Sequence, residues 1–319
     1  MRITVVLCTY NRSELLSKAL NSVAGQMLPR SIEWEVLVVD NNSTDRTPEV
    51  VADFCRQYPG RFRYLFEPQP GLSRARNAGI QAATGDILAF MDDDVTVETT
   101  WLQNLTEAMQ NGDWAGAGGR VLPTWSSSPP RWLSVKGRYA LAPFALFDVG
   151  SEAGPLAEPP FGANMAFRKA MFEKYGAFRI DLGRCPGSLM SNEDTEFGRR
   201  LLTAGEHLYY EPSAVVYHPV PENRLQKKYL LAWWFDKGRA DIRQFGVRRD
   251  AKTCYGIPLY LFRRLAVWTL GWTVAVDPRV RFARKLNVWE KLGEIQESYY
   301  QTRDAKGSKE RTPCPKPTA

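Results

Sequence analysis

Histidine is nearly absent from this 319-residue chain, with only His207 and His218, and its five cysteines show no CxxC pair and no metal-type spacing. An odd, scattered set (Cys8, Cys55, Cys185, Cys254, Cys314) reads as reduced cytosolic thiols, not as a disulfide framework. Also missing is any uncharged apolar run of 18 or more residues, which excludes a transmembrane helix. The nearest candidate, 255–276, carries Arg263 and Arg264 in its middle and only 12 residues follow them before Asp277-Pro278. No secretory leader is expected, because the chain opens directly on Arg2-Ile-Thr-Val-Val-Leu-Cys8, a buried-strand pattern. No internal repeat is evident, and 44% hydrophobic with 24% charged residues is ordinary for a globular protein.

Charge is unevenly spread. From Arg224 onward there are 21 Lys and Arg against 9 Asp and Glu, a net +12, whereas residues 1–223 carry a net −5. Any partner attracted by positive charge therefore belongs to the last third alone.

Strand and helix patterns alternate over the first 120 residues. Ile3–Cys8, Trp34–Val39, Phe62–Phe66 and Ile87–Met91 read as strands, and Ser13–Met27, Pro48–Tyr58, Leu72–Ala83 and Thr99–Gln110 as helices. Thr47 is the expected N-cap of the second helix, with Pro48 at its first position. Such alternation predicts βαβ units around a parallel sheet, with ligands beyond the carboxyl ends of the strands. The pattern breaks between Pro123 and Pro160, a segment read as a loop over a site. It resumes at Arg168–Tyr175, Thr195–Ala204 and His207–His218. The expected organisation is a catalytic α/β domain over 1–223, a basic, aromatic helical extension over 224–302, and a disordered tail over 303–319.

Three of those strands end in polar clusters: Cys8-Thr-Tyr-Asn-Arg12, Asp40-Asn-Asn-Ser-Thr-Asp45 and Asp92-Asp-Asp94. Each alone is what turns and caps use. Together, at successive strand ends of one sheet, they gather carboxylates and amides around one crevice. Alternation along a strand lets Asp92 and Asp94 share a side while Asp93 points elsewhere. Hard carboxylate oxygens without neighbouring Cys or His suit Mn²⁺ or Mg²⁺ shared with substrate phosphates, a Lewis acid for a departing diphosphate. In Gln69-Pro-Gly-Leu-Ser-Arg-Ala-Arg-Asn-Ala-Gly79, Arg74 and Arg76 stand at a helix start, against the helix dipole, and so call for an anion.

The ordered set Thr9-Tyr10-Asn11-Arg12, Val39-Asp40-Asn41-Asn42-Ser43, Gly71-Leu-Ser-x-Ala-Arg76-Asn77-x-Gly79 and Phe90-Met-Asp-Asp-Asp94 resembles the family 2 glycosyltransferases of GT-A fold, over roughly residues 1–220. The resemblance implies an α/β fold with a mostly parallel central sheet flanked by helices and, in this chain, a helical C-terminal extension. It implies a nucleotide-diphosphate sugar donor, with Asp40 at the base edge, Thr9 and Tyr10 lining the nucleoside pocket, Asp92 or Asp93 on the ribose and Asp94 on the metal. Asn11, Arg12, Asn42 and Arg76 complete the expected nucleotide-sugar set, with Gly162 and Asn164 of Pro160-Phe-Gly-Ala-Asn-Met-Ala-Phe-Arg168 beneath the donor sugar.

Asn192-Glu-Asp-Thr-Glu-Phe197 opens a helix, where acids in the first turn suit the dipole. Inverting transfer also needs a base for the acceptor hydroxyl, and the resemblance names the second acid of such a pair, Asp194, with Glu193 as second choice. His218 is a further metal-ligand candidate. The QxxRW motif of the family's processive synthases is not matched by Gln226-Lys-Lys-Tyr-Leu-Leu-Ala-Trp-Trp234, which favours single-sugar transfer to a saccharide or lipid-linked acceptor in envelope or exopolysaccharide assembly. The basic, aromatic C-terminal helices suit an anionic membrane surface, giving a cytoplasmic enzyme peripheral on the inner face of the plasma membrane, and no nucleic-acid motif is present. The rival readings are a nucleotidyltransferase, which would want a Gly-rich basic loop after the first strand, and a non-catalytic membrane-associated protein that binds sugar nucleotides or polysaccharide.

Overall fold

The computed structural model describes residues 1–135, 142–248 and 250–304. Residue contacts divide the chain into two units. The first comprises Met1–Thr124, Phe144–Ile180 and Glu193–Pro219, and the second comprises Trp125–Pro143, Asp181–Asn192 and the residues from Val220 onward. Of the tail expected at 303–319, residues 305–319 lie outside the described residues.

The first unit is built on a mixed sheet in the order β3-β2-β1-β4-β8-β6-β9-β5, with β7 paired to β9. β1 (Arg2–Thr9), β2 (Glu33–Asp40), β3 (Phe62–Phe66) and β4 (Ile87–Asp92) are mutually parallel. β1 and β4 are β-branched and aliphatic runs buried almost end to end, as strands covered on both faces must be. α1 (Ser13–Ala24), α2 (Thr47–Gln57) and α3 (Leu72–Ala82) are the intervening crossovers. Beyond β4 the sheet turns antiparallel: β8 (Met165–Arg168) pairs with both β4 and β6 (Gly116–Trp125). The 13-residue β9 (Leu208–Val220) pairs with the short β5 (Thr96–Val97) and β7 (Gly154–Leu156). β7 and a bridge between Val121 and Phe147 give order to part of the segment expected to be a loop. α4 (Trp101–Gln110), α5 (Lys169–Tyr175) and α6 (Glu193–Thr203) complete the unit.

Register sets the chemistry. Thr9 stands opposite Asp40, and Cys8 opposite Asp92, so three parallel strands finish together with their polar residues at one edge. Under that edge lies an aromatic cluster. Phe197 of α6 stacks on Phe172 at a centroid distance of 4.4 Å and meets Phe167 and Phe178 edge-on or tilted. Aromatic contacts of this kind add about 0.5–1.5 kcal/mol each beyond area burial. They anchor the helix whose first residues are Glu193 and Asp194.

The second unit is mainly helical: α7 (Lys227–Phe245), the hairpin β10 (Thr253–Cys254) and β11 (Ile257–Pro258), α8 (Leu259–Val274) and α9 (Pro278–Asp304). α7 and α9 pack backbone to backbone, because a Cβ at Gly238 or Gly293 would lie only 2.0 Å or 1.9 Å from a carbonyl oxygen of the other helix. Arg239 and Arg243 of α7 both pair with buried Glu297 of α9. No helix among the described residues is long and apolar enough to cross a membrane. Cys8, Cys55 and Cys254 are free thiols, but Cys185 is disulfide-bonded, which corrects the expectation that all five are reduced.

Candidate active site

The first two strand-end loops are stitched to each other. The Asn11 N–H donates to Ser43 Oγ at 2.9 Å, and Asn11 Oδ1 accepts the Thr44 N–H at 2.7 Å. Asp45 accepts the Ser13 N–H at the start of α1 and both the N–H and the hydroxyl of Thr47 at the start of α2. The N-cap position of α2 is Arg46, without a side-chain cap bond, and the expected cap, Thr47, is the first helical residue and donates to Asp45. Asn11 and Asn42 hold the left-handed conformation, with φ of 51° and 67°, which asparagine tolerates better than most residues. Asp40 is fully buried: Oδ1 accepts the Ser43 N–H and Oδ2 accepts the hydroxyl of the partly exposed Tyr64. That bond, together with burial, raises the Tyr64 pKa. Asn41 was not singled out in the sequence, yet it holds the loop leading into α3. Its Oδ1 accepts the Gly71 N–H and its Nδ2 donates to the carbonyls of Glu67 and Gln69.

β4 ends at Asp92, so Asp93 and Asp94 already lie in the turn beyond the strand. Asp92 and Asp94 nonetheless converge, and His218 of β9 joins them: one ligand atom from each lies within 4.8 Å of the others. His218 Nε2 is 3.7 Å from Asp94 Oδ1. Two carboxylates and one imidazole, without a thiolate, form a hard donor set that fits Mn²⁺ or Mg²⁺ and leaves coordination positions for other oxygens. Asp93 is not part of this group and is held, together with Asp94, by Arg12. Arg12 Nη1 donates to Asp93 Oδ1 at 2.8 Å and to Asp94 Oδ2 at 3.1 Å. Burial pushes the Asp93 carboxyl up to about 6, with Arg12 pulling it down and Asp94 adding to the rise. Thr9 is buried in this group, whereas Tyr10 is half-buried at the rim. Burial also pushes the Cys8 thiol up to about 12, which keeps it protonated and inert beside the acids.

The anion that Arg76 called for is the protein's own. Its side chain is 4% exposed, with Nη1 at 2.7 Å from Glu193 Oε1 and Nη2 at 3.3 Å from Asp92 Oδ1. Burial works against the Arg76 charge, but Glu193 and then Asp92 and Asp194 hold its pKa above the ordinary arginine value. Burial, then the Asp194 charge, push the Glu193 carboxyl up to about 7 against the pull of Arg76. Glu193 Oε2 is buried with no hydrogen-bond partner among the described residues. Asp194 is half-buried, and its carboxylate accepts the Gly162 N–H at 2.7 Å and the Thr195 N–H at 2.7 Å. Gly162 has a second role: a Cβ there would stand 2.4 Å from Arg76 Nη2, so the absence of a side chain makes room for the guanidinium.

Asn164 does not belong to the site surface. It is 0% exposed; its Oδ1 accepts the Trp101 indole N–H, and its Nδ2 donates to the carbonyls of Arg120 and Ala214. Its polar atoms tie α4, β6 and β9 together. Gly162, two residues earlier, is the part of this segment that reaches the acids.

The strand-end loops, the Asp92–Asp94–His218 group and the Glu193–Asp194 pair all lie in the first unit of the fold. The sequence model of "Glycosyl transferase family 2" matches residues 4–176, and the chain belongs to that family of enzymes. It is 30% identical over 241 residues to "Succinoglycan biosynthesis protein ExoM" of Rhizobium meliloti (strain 1021), spanning 75% of this chain and 74% of that protein. It is 28% identical over 246 residues to "Glycosyltransferase AglE" of Haloferax volcanii, spanning 74% of this chain and 75% of that protein. Among solved structures it resembles the mannosyltransferase PcManGT from Pyrobaculum calidifontis in complex with GDP-Man and Mn²⁺, with a TM-score of 0.56 at 21% identity over 96% of this chain and 76% of that one. It also resembles S. aureus TarS 1-349, with a TM-score of 0.52 at 18% identity over 94% and 92% of the two chains. At those identities the likeness is one of fold, and the fold is GT-A.

Proposed function

We propose that the protein is an inverting, divalent-metal-dependent glycosyltransferase that moves a single sugar from a nucleotide-diphosphate sugar to a hydroxyl of a saccharide or lipid-linked acceptor in envelope or exopolysaccharide assembly. The observation that carries this reading is that Arg76 joins Asp92 of the Asp92–Asp94–His218 cluster to Glu193 of the Glu193–Asp194 pair within one unit. Succinoglycan biosynthesis in the name of one relative and GDP-Man with Mn²⁺ in one fold neighbour support the acceptor class and the donor class. The same reading puts the enzyme in the cytoplasm, peripheral on the inner face of the plasma membrane, with its net +12 C-terminal third toward the lipid.

Asp92, Asp94 and His218 would hold Mn²⁺ or Mg²⁺, which when bound supplies Lewis-acid neutralisation of the leaving diphosphate. The chain's own groups do the rest. Asp40 and Tyr64 border the nucleoside side with Thr9 and Tyr10, and Arg12 sets the orientation of Asp93 beside it. Asp194 accepts the proton of the acceptor hydroxyl as that oxygen attacks the anomeric carbon from the face opposite the diphosphate. Its two backbone N–H bonds keep the carboxylate aimed. Buried Glu193, held by Arg76, fixes the start of the helix that carries it.

The test is turnover of nucleotide sugars with a saccharide acceptor, following nucleotide release and the product's anomeric configuration by NMR. Asp194→Asn is expected to lower kcat by about 10²–10⁴-fold with donor binding retained. Turnover that persists in chelator, or product with retained configuration, overturns the proposal.

A further inference from the structure

We propose that α8 and the hairpin before it form a docking surface that lies in the interface of an anionic lipid bilayer. This deepens the reading of a membrane-peripheral enzyme by naming the residues that would make the contact.

α8 reads Leu-Tyr-Leu-Phe-Arg-Arg-Leu-Ala-Val-Trp-Thr-Leu-Gly-Trp-Thr-Val, apolar on nearly every face, and a helix of that kind in water is normally enclosed. Here Leu261 is the single buried residue of the sixteen. Leu259, Phe262, Val267, Leu270 and Val274 are between 41% and 65% exposed. At about 100° per residue they fall within roughly 140° of the helix circumference, one continuous stripe opposite Leu261. Tyr255 at the hairpin tip before α8 is 86% exposed, and Val276 just beyond that helix is 94% exposed. Contiguous apolar surface of this kind marks an interaction face.

Charge identifies the occupant. Residues 251–276 contain Lys252, Arg263 and Arg264 and no acid. Arg263 rises from within the stripe, and Arg264 stands over the Tyr260 ring at 5.2 Å. Lys285 of α9 lies over the rings of Trp272 and Trp289, at 5.2 Å and 5.0 Å. Tyr260 with Arg264 stands at the margin of the stripe, an aromatic ring with a cation on a long stem that matches the boundary between acyl chains and headgroups, whereas Trp272 with Lys285 faces α9 on the opposite side. A second copy of the chain is a poor occupant, because self-pairing of the stripe would bury two Arg263 guanidinium groups with no acid from residues 251–276 to neutralise them. At about 24 Å, from 1.5 Å per residue, α8 is too short to cross a hydrocarbon core of about 30 Å, so it lies along the surface.

The experiment is flotation of the full chain with vesicles of phosphatidylcholine alone and of phosphatidylcholine with phosphatidylglycerol. The wild type is expected to float with the anionic vesicles. Leu270→Glu and Val267→Glu, at exposed positions that leave the thermal midpoint unchanged, are expected to weaken binding by more than about tenfold. Arg263→Gln and Arg264→Gln are each expected to weaken it about fivefold, the equivalent of about 1 kcal/mol per basic residue, with the difference shrinking at high salt. Failure of the wild type to float overturns the proposal. So does flotation of the glutamate variants at the wild-type level, or a dimer in solution that Leu270→Glu dissociates. Donor turnover in the same preparations keeps the two readings apart: flotation lost with turnover intact sinks only the docking surface, and the reverse sinks only the catalytic reading.

Discussion

Arg76 and Glu193 are 117 residues apart in the chain, and their side chains meet at 2.7 Å with 4% and 5% of their surface left to solvent. Removing one partner of such a pair strands a buried charge. Arg76→Met is therefore expected to cost about 3–5 kcal/mol in urea unfolding. The double variant Arg76→Met/Glu193→Leu should recover most of that loss, and strict additivity of the two single effects would show that the pair is not coupled.

The Asp92–Asp94–His218 cluster predicts a specific pattern of metal dependence. His218→Ala should weaken Mn²⁺ binding by more than about tenfold. Asp94→Asn should also lower kcat by about 10²–10³-fold, as expected when charge developing on a leaving group loses its stabiliser. Titration calorimetry with Mn²⁺ in the presence of a nucleoside diphosphate checks the first, and initial rates against metal concentration check the second.

At Gly162 a single methyl group is informative. Its Cβ would intrude on Arg76 Nη2 at 2.4 Å, inside a network that has nowhere to expand. Gly162→Ala is expected to cost about 1–3 kcal/mol of stability. Because the same N–H holds Asp194, kcat should fall more than donor affinity does. Equal losses in kcat and in donor binding would contradict that division.

Glu193 makes stability depend on pH with a definite sign. Its carboxyl is raised from 4.5 to about 7 in the folded chain, so between those values the folded state holds a proton that the unfolded chain releases. Stability contributed in this way is complete below pH 4.5 and is lost as pH rises toward 7. Urea midpoints measured across that window in chelator should decline for the wild type and decline less for Glu193→Gln.

Much of this was readable in the chain. The βα periodicity placed Phe62–Phe66 at its observed bounds and the other early elements within a few residues, because short runs rich in aromatic or β-branched residues and bounded by turn residues favour strands. The pairing of Asp92 with Asp94 followed from strand alternation, although the strand itself stops at Asp92. What stayed hidden was tertiary. Nothing local shows that the anion for Arg76 comes from Glu193, that Tyr64 donates to Asp40, or that Asn41 and not Asn42 carries the loop bonds. Nor does anything local show that Asn164 is buried among three partners from other elements. The two-residue β5 was too short to leave any period to read, and β6, rich in glycine, lacked the β-branched signature of the other strands.

The hydrogen bonds of Asn11 and Asp45 across the first two strand ends have a consequence for engineering. Residues 9–13 and 40–47 form one cassette, since each loop supplies backbone donors that only the other can satisfy. A chimera that imports either loop alone from a relative would leave the N–H groups of Asn11, Ser13 and Thr44 without their acceptors. Exchanged together, the two loops carry their own fastenings, so these segments are transferable only as a linked pair.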